Sequence, residues 1–269
     1  MTTVTPLPSG PLPETLELTV DGTVATLTLN RPEKRNALDD GTVLALGEFF
    51  RTLPTGHPDV KAVVLTAAGP HFCAGLDLSE LSERDAVGGL HHSRMWHAAM
   101  NQIAESAVPV VVVLTGAVVG GGLELATAAH LRVADSTTFF ALPEGSRGLF
   151  VGGGASVRVP RLIGVNRMQD MMLTGRVLDA EEGERVGLAN YLVAEGEGVE
   201  KARALAERIA ENSPVTNYAV TQALPRIVES GKDEGYMLES LMAAVAQSSA
   251  EAKERMQDFL SGSGPKVRN

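Results

Sequence analysis

The chain has 269 residues, 44% hydrophobic and 21% charged, a composition that can bury a sizeable core and excludes a disulfide mini-protein or a globally disordered chain. Acidic residues outnumber basic ones, 33 against 23, and the net charge of −10 with no run of Lys or Arg disfavours nucleic acid as a partner. Cys73 is the single cysteine, so no intramolecular disulfide forms. No basic start leads into an apolar core, and no apolar stretch reaches the roughly twenty residues of a membrane span, so a reducing, cytoplasmic setting away from the membrane is expected.

Residues 1–13 carry Pro6, Pro8, Pro11 and Pro13 with little to bury and read as a disordered leader. From Leu16 a period-two pattern on either side of Asp21-Gly22 predicts a β-hairpin through Leu29. Asp39 or Asp40 then caps a helix with Val43, Leu44, Leu46, Phe50 and Leu53 on one face, ended by Pro54, Gly56 and Pro58. Val60 to Thr66 and Val108 to Thr115 are β-branched runs of the kind buried on both faces of a sheet, with helical patterns over 81–107 between them. Leu131 to Val133, Phe139 to Leu142 and Asn190 to Val193 predict short strands, which makes the middle of the chain α/β. Beyond Glu195 the pattern is helical throughout, with stripes at Val199, Ala202, Leu205, Ala206 and Ile209, at Met237, Leu238, Leu241, Met242 and Val245, and at Met256, Phe259 and Leu260. Such faces pack either on the same core or on another subunit, and the pattern does not choose; the methionines read as fillers of core gaps.

Two loops follow strands. Gly120-Gly121-Gly122 leads into a short helical stretch, Leu123 to Ala129, and Pro70 to Leu78 follows the strand that ends at Thr66. Glycines let a ligand approach the main chain, and free N–H groups at a helix start favour negative charge, so amides from two adjacent loops can converge on one oxygen; a tight turn gives the same glycine run. Glu124 and Glu144 each lie beside such a loop in apolar surroundings, where paired carboxylates move protons or orient water. Phosphate-loop chemistry is excluded because Gly122 and Leu123 stand where Lys and Ser/Thr are required. Gly152-Gly153-Gly154 lacks the dinucleotide spacing, and Glu144-Gly145-Ser146-Arg147-Gly148 lacks the first glycine of a hydrolase elbow. His91, His92 and His97 are not spaced to ligate one metal, so no metal site is expected, and Cys73 has no activating sequence neighbour.

Five segments in order then carry a resemblance: Leu29-Asn-Arg-Pro-Glu-Lys-Arg-Asn-Ala-Leu38, Phe72-Cys-Ala-Gly-Leu-Asp-Leu78, Gly120-Gly-Gly-Leu-Glu-Leu-Ala126, Leu142-Pro-Glu144 and Pro160-Arg-Leu-Ile-Gly164. The chain resembles the crotonase, or enoyl-CoA hydratase/isomerase, superfamily over roughly Leu16 to Leu260. The resemblance implies an α/β fold, a crotonase-like spiral of ββα units over 14–197, with a C-terminal helical trimerisation region over 198–269. It implies a homotrimer or dimer of trimers acting on an acyl-CoA thioester, with no cofactor, coenzyme A being part of the substrate. Carried over position by position, the amides of Leu76 and Gly121 form the oxyanion hole, Glu144 protonates the α-carbon and Glu124 activates water for the β-carbon. Lys34, Arg35, Ala37, Ala74 and Asp77 fall in the coenzyme-binding segments, with Lys266 and Phe259 as further contacts, and Trp96, Arg147 and Gly152 at the acyl pocket.

The reaction expected is reversible hydration of a 2-enoyl-CoA to a 3-hydroxyacyl-CoA. The alternatives are double-bond isomerisation, a hydroxycinnamoyl-CoA hydratase-lyase reaction, and a noncatalytic acyl-CoA-binding scaffold. The chain departs from the family pattern in three places. Gly145-Ser146-Arg147-Gly148 replaces apolar residues, Val151 replaces a common proline, and Leu76 is bulkier than the frequent alanine, although the oxyanion donors are main-chain groups and survive these changes. Arg147 reads either as a partner of a structural acid or as a recogniser of a polar, carboxylated or hydroxyaryl acyl chain.

Overall fold

The computed structural model describes residues 12–77, 79 and 85–262; most of the leader, and Lys266, lie outside this range. Two compact units divide within one helix, the first ending at Glu207 and the second starting at Arg208. Strands β1 (Leu16–Asp21) and β2 (Val24–Leu29) form the predicted hairpin, with Asp21 paired to Val24. The turn is Gly22-Thr23 rather than Asp21-Gly22: Gly22 adopts φ +58° at its first position, where glycine is unstrained, and Asp21 ends the strand.

Helix α1 (Asp40–Gly56) is capped by Asp39, whose carboxylate accepts the Thr42 N–H at 2.7 Å. It continues through Pro54, contrary to the expected stop, because the missing N–H falls in the last turn, where little of the helix depends on it. There follow β3 (Ala62–Ala67), α2 (Ala86–Ala104), β4 (Val110–Leu114), β5 (Ala117–Val119), α3 (Gly121–Ala126), β6 (Leu131–Asp135) and β7 (Phe139–Ala141). The first unit continues with α4 (Ala155–Ile163), α5 (Val165–Thr174), β8 (Leu178–Asp179), α6 (Ala180–Val186) and β9 (Tyr191–Val193), and α7 (Gly198–Ala210) crosses into the second.

The main sheet has the order β1-β2-β3-β4-β6-β9 and is parallel from β2 onward; β5, β7 and β8 form a second, three-stranded sheet. The strand–strand–helix units β1-β2-α1, β4-β5-α3 and β6-β7-α4 agree with the spiral of ββα units that the resemblance implies. The β-branched runs predicted for β3 and β4 are buried at every strand position except Ala67, as parallel strands covered on both faces require. The second unit is helical: α8 (Pro214–Tyr218), a π-helical turn over 219–223, α9 (Leu224–Glu229), α10 (Lys232–Ser248) and α11 (Ala250–Leu260). The stripe residues Met237, Leu238, Leu241, Val245, Met256, Phe259 and Leu260 are exposed on the single chain.

The segment after β2 is shaped by Asn36 and Asp77. Asn36, buried at φ +53°, accepts the Arg31 N–H and donates to the carbonyls of Ala68 and His71, all at 2.8 Å. Its amide thereby ties the 31–38 segment to the loop that follows β3. Asp77 accepts from Ser79 N and Oγ at 3.0 and 2.8 Å, Arg31 at 2.9 Å and Lys34 at 3.1 Å. The bonds from Ser79 and then the cations Lys34 and Arg31 hold its carboxyl well below the usual carboxylate range. Replacing Asn36 by Ala leaves two carbonyls and one N–H without their partner, and denaturant unfolding is expected to show a loss of about 3 kcal/mol; a loss within experimental error would refute this anchoring role.

Candidate active site

The loop after β3 is held against β5 as an extra strand. Cys73 N–H donates to Ala117 C=O at 2.9 Å and Val119 N–H to Cys73 C=O at 3.1 Å, while Leu38 and Asp77 N–H groups fix the following residues through Gly75 and Leu38 carbonyls. This pairing carries Leu76 to the start of α3. A Cβ built on Gly121 would lie 3.3 Å from Leu76 N, and one on Gly75 3.4 Å from Gly121 N. Neither N–H is hydrogen-bonded among the described residues, so two free amides stand side by side as the geometry of an oxyanion site demands. Helix α3 starts two residues earlier than expected but has only six residues, so its dipole adds little.

Glu124 projects from α3 and is 4% exposed. Its Oε1 accepts the N–H groups of Gly153 at 2.7 Å and Ala155 at 3.1 Å. Burial pushes this carboxyl up from its ordinary value and the charge of Glu144 adds to that, whereas the two N–H bonds and the Arg158 cation oppose it. Glu144 lies in a 3₁₀ turn over Pro143–Arg147, after β7. Its Oε1 occupies the space a side chain at Gly120 would need, 2.7 Å from a built Cβ, and Gly120 takes φ +54°, so both space and conformation require glycine there. Glu144 Oε2 is buried and accepts no hydrogen bond among the described residues. Burial raises this carboxyl too, against weaker opposition from its own backbone N–H and Arg147.

Both carboxylates and both amides line one cavity of about 450 Å³. Trp96, 4% exposed, forms part of its wall and sits against Gly121, whose built Cβ would be 3.0 Å from the indole. Asp40 Oδ1, in the first turn of α1, accepts from Trp96 Nε1 at 3.2 Å and bonds His92 Nε2 at 2.7 Å, which fixes α2 over the cavity.

The family profile for enoyl-CoA hydratase/isomerase matches residues 19–266. The chain belongs to this family. It is 33% identical over 232 residues to carnitinyl-CoA dehydratase of Proteus mirabilis (strain HI4320), covering 84% of this chain and 85% of that protein. It is 30% identical over 241 residues to short-chain-enoyl-CoA hydratase of Clostridium acetobutylicum, covering 89% and 92%. A provisionally assigned enoyl-CoA hydratase from Rhodopseudomonas palustris CGA009, a solved structure, superimposes with a TM-score of 0.89 at 55% identity over 92% of this chain and 95% of that one.

In this enoyl-CoA hydratase-like cavity the structure brings together Glu124, Glu144, Leu76, Gly121, Ala74, Trp96, Arg147 and Gly152. Lys34, Arg35, Ala37 and Asp77 do not line it. Lys34 and Arg35 are exposed on the 31–38 segment, Ala37 is half-buried with its carbonyl accepting from Arg31, and the Asp77 carboxylate is engaged by Ser79, Arg31 and Lys34. Among the histidines, His92 pairs with Asp40, and Cys73 is buried with its thiol pushed up to about 12, which leaves it inert. Sequence reasoning missed Gly89 and Ser93 as cavity walls; the spacing of Gly89, His92, Ser93 and Trp96 places all four on one face of α2. It also missed Gly153 and Ala155 as donors to Glu124, which only the fold brings within reach.

A carboxyl raised by burial lends the fold stability below its unfolded value, near pH 4.3, and that contribution is lost as pH rises through the higher folded value. Glu144→Gln removes the charge but keeps the shape. The variant is therefore expected to gain in melting temperature relative to the parent on going from pH 5 to pH 8; a difference constant across that range would show that Glu144 is not raised.

Proposed function

We propose that the protein catalyses the reversible hydration of a 2-enoyl-CoA to a 3-hydroxyacyl-CoA. The observation that carries this reading is the convergence of two free amides, the buried Glu124 carboxyl and the half-buried Glu144 on one cavity. The thioester oxygen sits between the N–H groups of Leu76 and Gly121, which stabilise the negative charge that develops there as the enolate forms. Glu124, anchored by two N–H bonds on Oε1, uses its other oxygen to orient water and take its proton as the water attacks the β-carbon. Glu144, desolvated and unpartnered at Oε2, donates the proton to the α-carbon. The division of labour is assigned from surroundings: two N–H donors hold Glu124 Oε1, whereas Glu144 Oε2 has no partner among the described residues.

This scheme uses acid, base and amide donors and requires no metal or redox cofactor. Lys34 and Arg35, exposed within the motif 29–38, would meet the coenzyme phosphates, with Ala37, Ala74 and Asp77 shaping the segment that receives the coenzyme. Trp96 and Gly152 wall the acyl end of the cavity, and Arg147 lines it with a cation. That cation disfavours the quaternary ammonium tail of a carnitinyl thioester and favours neutral or carboxylated acyl chains. The exposed apolar stripes of α10 and α11 would be covered in a homotrimer or a dimer of trimers, in the cytoplasm.

Crotonyl-CoA, a longer enoyl-CoA and an aromatic enoyl-CoA, assayed by loss of conjugated thioester absorbance with products weighed by mass, test the reading. Products should gain one water, and kcat should fall by about 10²- to 10⁴-fold in each of Glu124→Gln and Glu144→Gln. Turnover at constant mass that depends on Glu144 alone would replace hydration by isomerisation, and binding without turnover would make the protein a scaffold.

A further inference from the structure

Arg158, in the first turns of α4, is a largely buried guanidinium with no carboxylate within ion-pairing distance among the described residues. Its Nη2 donates to the carbonyl of Gly153, the residue whose N–H holds Glu124 Oε1. Its Nε is buried and unpartnered among the described residues. Gly154, at φ +108°, leaves the space that the guanidinium fills: a built Cβ there would lie 2.5 to 2.9 Å from Nη2, Cζ and Nη1. Gly153 in turn leaves room for Glu124, whose Oε2 would be 2.8 Å from a Cβ. The glycine run 152–154, which does not fit a nucleotide loop, is thus a thin partition with Glu124 on one side and Arg158 on the other. A third hydrogen bond steadies it, from Ser93 Oγ to the Gly152 carbonyl at 2.6 Å.

Burying an arginine without a partner acid is costly. Its charge is felt by Glu124 across the partition. The other groups that act on it or feel it are Arg161 on α4, whose like charge opposes it, and the ring of His97 on α2, which burial and then Arg158 and Arg94 keep toward its neutral form. Arg147, by contrast, acts on Glu144.

We propose that Arg158 is a positioning residue for the reaction: it clamps the Gly153 peptide that holds Glu124 Oε1 and sets a positive charge behind that carboxyl. The inference rests on the assignment of Glu124 as the base in hydration and extends it to a residue that touches no substrate. Removing the cation should therefore alter Glu124 and spare Glu144. It should lower kcat with little change in KM, since the cavity and its two amides stay in place.

The test uses the full chain carrying ¹³C-labelled glutamate, with Glu124→Gln and Glu144→Gln identifying the two carboxyl signals. In Arg158→Met the titration midpoint of Glu124 should rise by about one pH unit while that of Glu144 holds. Crotonyl-CoA hydration should lose about 10- to 100-fold in kcat. Arg158→Lys should restore the midpoint, and Arg158→Gln, which keeps a donor for the Gly153 carbonyl without the charge, should leave the midpoint high while recovering part of kcat. If Arg158→Met does not fold, the Gln and Lys variants carry the comparison. A Glu124 midpoint unchanged in the uncharged variants, or a Glu144 midpoint that moves equally, would overturn the proposal. The titration does not depend on turnover, so failure of the hydration reading, seen as full activity in Glu124→Gln, is distinguishable from failure here.

Discussion

The active site depends on a short strand pairing that joins the two sheets' loops: Cys73 bonded to Ala117 and Val119 at the edge of β5. Main-chain hydrogen bonds of this kind are directional and set register to within one residue, so they determine which amide reaches the start of α3. A slip of one residue would present the Gly75 or Asp77 amide instead of Leu76. The segment 31–38 reinforces the register, since Leu38 is bridged to Leu76 while Asn36 ties the same loop from its other end. The two amides are therefore held before any ligand arrives, which is the condition under which hydrogen-bond donors lower a barrier instead of spending energy on reorganisation.

Around that frame the two glutamates are treated differently by their surroundings. Both are raised by desolvation, but Glu124 is given two N–H donors and a cation behind them, whereas Glu144 has a buried oxygen with no partner. The two carboxyl groups thus share the main cause of their upward shift and differ in the hydrogen bonds and charges that oppose it. The glycines serve this arrangement by absence of volume. Gly120 admits the Glu144 carboxylate, and Gly154 admits Arg158.

Much of this was legible in the chain. The hairpin, the buried runs of β3 and β4, α1 with its Asp39 cap and the helical last quarter followed from periodicity and capping chemistry, which are local. Leu76, Gly121, Glu124 and Glu144 came from five ordered motifs, and the cavity gathers all four. What escaped was non-local or weakly patterned. Strands β5 and β8 have three and two residues, too short for a period, and the turn at Gly22-Thr23 depends on pairing register as much as on composition. Arg158 resembles any cation on an amphipathic helix until the fold lays it behind Gly153. The coenzyme-segment residue Asp77 shows the converse: its motif position is plain, but its surroundings reveal a carboxylate already engaged by Ser79, Arg31 and Lys34.

In the proposed reaction the Leu76 and Gly121 amides polarise one thioester oxygen. Difference infrared spectroscopy of a bound, non-hydratable acyl-CoA with a ¹³C-labelled thioester carbonyl reports on that oxygen directly. The carbonyl stretch should move to lower frequency on binding, as two N–H donors draw electron density toward the oxygen. A bound carbonyl that absorbs where it does in water or higher would contradict it.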